Sequence, residues 1–178
     1  MDIDRLNRVQ TTKIKSFQHP WQQPRNFTIV AAVDNNMGLG YKGELLAHIP
    51  DDLKRFKKLT VGSTVVMGRK TYESLPNGAL PSRTNIVLSR RKVKYDGAIV
   101  MTLKEFLSAY KHQQDVFVIG GAQIYEQLLP YTKDMYLTHI YETFKADTWF
   151  PMSIAFNKDS FVTKATYAFA HYTYGGLK

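Results

Sequence analysis

Among the residues of this chain that could carry chemistry, Asp52 has the most unusual setting. The stretch His48-Ile49-Pro50-Asp51-Asp52-Leu53-Lys54-Arg55-Phe56-Lys57-Lys58-Leu59 reads as a helix start. Pro at the first helical position forgoes only an N–H that lacks a partner there, and early carboxylates suit the positive end of the helix dipole. Leu53, Phe56 and Leu59 or Thr60 then share one face at helical spacing, while Lys54, Arg55, Lys57 and Lys58 point elsewhere. Asp52 falls on the apolar face and Asp51 points to solvent. Two readings stay open. Either both acids serve the helix end, or Asp52 looks into an apolar cleft, where burial raises its pKa and suits it to a cationic or proton-seeking ligand edge.

Three other short motifs share a chemistry, phosphate binding, and each follows an apolar run. Gly68-Arg69-Lys70-Thr71 combines close backbone approach, two cations and a hydroxyl. Ser89-Arg90-Arg91 adds a hydroxyl and two guanidinium groups, which suit bidentate phosphate contact. Gly120-Gly121-Ala122 brings bare backbone N–H groups to a helix start. Gly pairs are common turns and Arg pairs are usually solvated surface, so each motif alone says little. Together they suggest a dinucleotide with an extra phosphate, NADPH rather than NADH. The G-x-G-x-x-G fingerprint is missing, which excludes the standard Rossmann arrangement.

The elements that must position these groups alternate between strand and helix. Phe27–Val33 is an apolar run without helical period, hence a buried strand. Asp34–Gly43, with three glycines, reads as a long loop able to close over a ligand. Further strands are expected at 63–67, 84–88, 98–101, 116–119 and 135–140, with a short helix opening at Gly68. A helix over 103–111 starts at Thr102, with Glu105 completing a capping box. Another follows Gly121, carries Ile124, Leu128 and Leu129 on one face, and ends at Pro130. The aromatic tail from Phe161 adds an antiparallel hairpin or edge. The whole is an α/β layered fold. Residues 1–26, polar with Gln-rich patches, read as an extension that is at best partly ordered, and 27–178 as one domain.

Composition narrows the classes. The chain has 178 residues and no cysteine, which excludes disulfides, thiolate catalysis and zinc–thiolate sites. No run approaches the roughly 18 apolar residues of a membrane span. Nor does the N-terminus read as a signal peptide, so a cytoplasmic location is expected. The +9 net charge admits a nucleic-acid partner. Yet the cations are dispersed and no nucleic-acid signature accompanies them, so a small polyanion such as a phosphorylated cofactor fits better.

Over essentially all of 27–178 the chain resembles a dihydrofolate reductase. The likeness is carried by Ile29–Val33, Gly38-Leu39-Gly40, Ile49–Lys57, Val66–Ser74, Leu80–Arg90, Val118–Tyr125, Tyr136–Ile140 and Asp147–Pro151, in order and properly spaced. It implies the three-layer fold of that family: a central mixed, mostly parallel sheet flanked by helices, with an antiparallel C-terminal edge. The implied activity is reduction of dihydrofolate by hydride transfer from NADPH to pterin C6, with protonation at N5, supplying tetrahydrofolate to one-carbon metabolism.

By the same resemblance, Asp52 contacts the pterin with Thr138 beside it. Val30, Ala32, Leu53, Phe56, Ser74, Leu75, Leu80, Ile119 and Tyr125 line the folate slot, and Arg83 grips the glutamate α-carboxylate. The NADPH site is implied at Ala32, Leu39, Gly40, Gly68, Arg69, Lys70, Thr71, Leu88, Ser89 and Arg90, and at Ile119, Gly121, Ala122, Gln123, Ile124 and Tyr125. The segment 34–47 corresponds to the family's lid over the nicotinamide, and Gly120-Gly121 to its cis peptide. No metal is implied. Competitive antifolates are expected ligands, and nucleic acid and membrane are not. A free-standing monomer is expected.

One departure lies beside Asp52. The family usually has Leu-Pro-Trp where this chain has Leu45-Leu46-Ala47. Loss of the indole implies a roomier, wetter mouth unless Tyr41 or His48 refills the space. It also leaves two alternatives: a reductase of this fold for another pterin or a riboflavin-pathway pyrimidine, or a binding protein with impaired turnover. Arg83 speaks against the pyrimidine, which has no glutamate tail. His48 and His139 read as structural.

Overall fold

The computed structural model describes residues 25–152 and 155–175; the expectation for residues 1–24 lies outside them. An eight-stranded sheet forms the frame. Its parallel part consists of β1 (Phe27–Val33), β4 (Thr64–Gly68), β5 (Thr84–Leu88), β6 (Ala98–Met101), β7 (Val116–Val118) and β8 (Thr132–Ile140). The antiparallel edge is β10 (Phe156–Thr163) and β11 (Tyr167–Tyr174), with β11 laid against β8. Across the sheet the order is β10-β11-β8-β1-β7-β4-β5-β6.

These strands read as continuous apolar runs because both sheet faces are covered. Alternation sends Ile29, Val66, Ile86, Val118 and Leu137 to one face, under Phe106 of α3 (Leu103–Tyr110) and Tyr125 and Leu128 of α4 (Ala122–Leu128). Val65, Met67, Val87 and Phe117 go to the other. There they meet Tyr72 of α2 (Arg69–Glu73) and Leu59 of α1 (Pro50–Thr60). Thr102 caps α3 through the Glu105 backbone N–H while the Glu105 carboxylate accepts from the Thr102 N–H, the capping box read from the sequence. The Pro130 segment is a short 3-10 turn over Leu129–Tyr131, so α4 stops two residues before the proline.

The loop expected over Asp34–Gly43 is in part a strand. β2 (Gly38–Tyr41) pairs antiparallel with β3 (Glu44–Leu45) and with β9 (Thr148–Trp149) in a second, three-stranded sheet. Strands of four and two residues, one of them half glycine, are too short to show a period. Glycine at 40 is required by close approach: a Cβ there would lie 2.7 Å from the Glu44 carbonyl oxygen. Before β1 the chain is already fixed. Arg25 donates to the carbonyls of Leu129 and Thr132 and lies over the Tyr174 ring, and Asn26 donates to those of Tyr131 and Lys111.

Candidate active site

α1 begins as the sequence implies, with Pro50 at its start, Asp51 and Asp52 in its first turn and Lys57 and Lys58 in its last. The consequence is that the two acids face different surroundings. Asp51 is exposed but not free: it accepts a hydrogen bond from the Tyr167 hydroxyl at 2.8 Å, which holds its carboxyl below its ordinary pKa. Asp52 is turned inwards, and the Thr138 hydroxyl donates to its Oδ1 at 2.5 Å. Burial raises the Asp52 pKa; the Thr138 hydrogen bond and the charge of Arg55 pull it part of the way back. The open choice at this helix start is therefore decided in favour of an inward carboxylate.

Register explains why Thr138 is there to meet it. In the β1–β8 pair, Ala32 lies opposite Thr138 and Val30 opposite Tyr136. The buried residues Ile29, Ala31 and Val33 face the other way, into the core. Val30 and Ala32 are only half-buried, as are Phe56, Leu75, Leu80 and Ile119, the signature of a wall rather than a core. Leu53 is 43% exposed at the same opening. Arg83 is braced, with its Nε donating to the Pro81 carbonyl at 2.9 Å and Nη1 to the Thr60 hydroxyl at 3.1 Å. The Phe56 ring lies beneath its guanidinium. Ser74 turns its hydroxyl back to the Thr71 carbonyl. Tyr125 is buried and donates to the Val30 carbonyl at 2.8 Å, and burial pushes its pKa up.

The three phosphate motifs converge. Gly68 lies opposite Leu88 in register, and its N–H donates to the Gly120 carbonyl at 2.8 Å. The Gly120-Gly121 bond is cis. A Cβ on Gly68 would meet Ile124 Cγ1 at 3.1 Å and one on Gly121 would meet the Thr71 hydroxyl at 3.4 Å. Bare backbone therefore lies next to Thr71 and the Ala122 end of α4. Ser89 follows β5 directly, its hydroxyl bonded to the Arg91 N–H, with Arg90 exposed beside it. Arg69 reaches Glu73 at 2.6 Å, and Glu73 in turn accepts from Tyr95 at 2.6 Å. Cations, hydroxyls and uncovered backbone at the carboxyl ends of β4, β5 and β7 fit a phosphorylated dinucleotide.

The segment 34–47 is tied at two points. Asp147 accepts from the Lys42 N–H at 2.8 Å and its own N–H donates to the Gly40 carbonyl. Asp34, 1% exposed, accepts from the backbone N–H groups of Asn36, Gly38 and Phe144. Sequence reading passed over Asp34. The available signal was an Asp closing a strand before Asn-Asn, the composition of an Asx turn. Ala47 is half-buried at this end of α1. The Tyr41 ring is engaged by the Lys42 and Lys145 ammonium groups, and His48 is exposed. His139 is bonded to the Tyr172 hydroxyl at 2.9 Å, and burial lowers its pKa. Among the described residues no cluster of His, Cys, Asp and Glu is arranged for a metal ion, and no helix is long and apolar enough to cross a membrane.

One inward carboxylate, a slot with half-buried walls and cationic, glycine-lined strand ends define an α/β oxidoreductase of the dinucleotide-dependent class. The sequence matches the profile of the dihydrofolate reductase family over residues 26–173. It is 37% identical over 127 residues to the dihydrofolate reductase of Buchnera aphidicola from Acyrthosiphon pisum, covering 71% of this chain and 79% of that one. The Bacillus subtilis dihydrofolate reductase is 40% identical over 126 residues, 70% and 74% of the two chains. Among solved structures, dihydrofolate reductase from Enterococcus faecalis complexed with NADP(H) and RAB-propyl superposes with a TM-score of 0.76 at 32% identity, over 84% of this chain and 96% of that one. The chain belongs to the dihydrofolate reductase family, and its reaction is the NADPH-dependent reduction of dihydrofolate.

Proposed function

We propose that Asp52 and Thr138 manage the proton in this reaction, and that Arg83 and the glycine-lined strand ends hold the two ends of the reacting pair. The observation that carries this reading is the 2.5 Å hydrogen bond between an inward Asp52 and Thr138, in a slot otherwise walled by apolar side chains. NADPH, when bound, supplies the hydride. Gly68, Arg69, Lys70, Thr71, Ser89, Arg90, Gly121 and Ala122 are the groups placed to hold its phosphates. The slot supplies alignment and dryness, which lowers the entropic and solvent-reorganisation parts of the barrier. With Thr138 holding it in place, the Asp52 carboxylate favours the protonated pterin edge and so prepares N5 to accept its proton.

Arg83 is suited to a carboxylate because its planar fork is already braced by Pro81 and Thr60. Arg83→Ala should raise KM for dihydrofolate roughly 10- to 100-fold, the worth of a charge-assisted contact, with KM for NADPH unchanged. Steady-state kinetics in both substrates decides it. Equal loss for both, or for neither, removes Arg83 from the tail site and reopens the pyrimidine reading. A second expectation concerns the mouth. Ala47→Trp should tighten dihydrofolate binding by about 1–3 kcal/mol, the value of an added aromatic contact. Equilibrium titration with dihydrofolate measures it, and no gain means that the wall is closed by other groups.

We also infer that the chain acts as a monomer. Its exposed apolar side chains, such as Leu53, Ile99, Trp149 and Val162, are spread over different elements of the fold.

A further inference from the structure

The four cations of α1 do not share one environment. Lys54, Lys57 and Lys58 are exposed, but Arg55 is half-buried and desolvated. Its guanidinium carbon lies 4.4 Å from the centroid of the Phe169 ring and 5.4 Å from that of Tyr136. It enters none of the salt bridges of the described residues. A half-buried cation without a salt-bridge partner carries a desolvation cost, which contact with the two rings offsets in part.

Register shows what that position is. Phe169 of β11 lies opposite Thr138 of β8, and His171 opposite Tyr136. The two rings under Arg55 therefore belong to the same sheet patch as the hydroxyl that holds Asp52. One turn of α1 separates Asp52 from Arg55, so both project onto this patch. Cation–π contact with two rings fixes the guanidinium without neutralising it. We propose that Arg55 is a positioning residue for the reductase reaction, a fixed positive charge racked on Phe169 and Tyr136 against which the Asp52 carboxylate works.

The groups facing this pair are few. Asp52 meets Thr138 from β8, and feels Tyr125 of α4 and Tyr167 of β11. Arg55 meets Tyr136, behind which His171 stacks at 4.5 Å, bonded to Asp134 and Asp159. Arg55 and Asp52 each shift the other's titration in the sense of an attractive pair. Removing the cation should thus make the carboxylate hold its proton to higher pH. An uncharged pterin beside Asp52 would gain a proton more readily as well, since a repelling cation has gone. Both effects move the rate profile the same way.

The inference rests on the role proposed for Asp52 only for its consequence in turnover, so its test begins without ligands. The Asp52 carboxyl is titrated by carbon NMR in aspartate-labelled protein, its resonance assigned by its absence in Asp52→Asn. Arg55→Met, which keeps an unbranched apolar stem on Phe169, should raise the midpoint by roughly one pH unit. Arg55→Lys should recover most of that shift. The pH profile of single-turnover hydride transfer should move in the same direction, with NADPH affinity unchanged. An unshifted Asp52 titration in Arg55→Met, or an equal shift in Arg55→Lys, overturns the proposal. If Arg55→Met does not fold, Phe169→Leu substitutes for it: a smaller upward shift supports the rack, and none overturns it. A shifted carboxyl titration with an unmoved rate profile would instead count against Asp52 as the proton-managing group.

Discussion

Asp52→Asn should leave NADPH binding intact and lower hydride transfer near neutral pH by roughly 10²- to 10⁴-fold, the usual worth of one positioned acid–base group. The substitution keeps the shape of the side chain, and the amide oxygen it introduces can still accept from Thr138, so the loss isolates charge from packing. What disappears is the negative charge that favours a protonated pterin edge. Bulk protons can replace part of it, and the variant should therefore recover partially as the pH is lowered. Single-turnover measurements across the pH range check this. A rate near that of the wild type at neutral pH would take Asp52 out of the chemistry.

The same substitution should make the fold more stable, and the sign follows from linkage. Burial raises the Asp52 pKa above its ordinary value, against the weaker opposing effects of Thr138 and Arg55. The folded state then holds a proton that the unfolded chain has already released. Stability from this group is fully present below the unfolded carboxylate value, near 3.9, and is lost as the pH rises through the higher folded value. Asp52→Asn removes that loss. Its urea midpoint should exceed that of the wild type at neutral and alkaline pH, and the difference should shrink towards acid. Gain in stability with loss of turnover is the expected mark of a carboxylate kept in an unfavourable place for its chemistry.

Much of this was legible because the relevant signals are local. The strands of the large sheet are apolar runs covered on both faces, so their composition alone gives them away. Thr102 and Glu105 announce α3 within four residues. Pro50-Asp51-Asp52 announces α1, and helical spacing places Asp52 on its inner face. What escaped depends on partners distant in the chain. A helical wheel sends Arg55 to solvent with the neighbouring lysines. It is the Phe169 ring, contributed by β11 from far along the chain, that makes its position half-buried. Asp51 does point to solvent, but its hydrogen-bond partner, Tyr167, is equally remote and no local signal announces it. β2, β3 and β9 escaped because strands this short have no periodicity to read, and their pairing is decided by register.

Asp34 is the residue whose removal should loosen that small sheet most. Its carboxylate closes three backbone N–H groups, those of Gly38 at 2.7 Å and of Asn36 and Phe144 at 2.9 Å each. These belong to the turn after β1, the start of β2 and the segment leading to β9, so one side chain at the end of β1 joins the small sheet to the frame. Asp34→Ala leaves all three donors without it, and the site is too enclosed for free replacement by water. At about 1–3 kcal/mol for each buried donor left unsatisfied, with partial rehydration, the expected loss is roughly 3–5 kcal/mol. That is a large share of the about 5–15 kcal/mol that holds a domain folded. Asp34→Asn should lose less, because its amide oxygen can still accept from Asn36 and Gly38, but its NH₂ would face the Phe144 N–H donor to donor. Burial alone would raise the Asp34 pKa, but the hydrogen bonds from Phe144, Gly38 and Asn36 outweigh it and hold the carboxyl below its ordinary value. Stability from this group is therefore present above the unfolded value and lost as the pH falls through the lower folded one. Urea unfolding at neutral pH should show a clear loss in both variants, and the gap to the wild type should narrow in strong acid. Hydride transfer should slow as well, since β2 carries Leu39 and Gly40, which the family resemblance implies at the NADPH site. A variant that unfolds within about 1 kcal/mol of the wild type would mean that the small sheet is held by Asp147 and strand pairing instead.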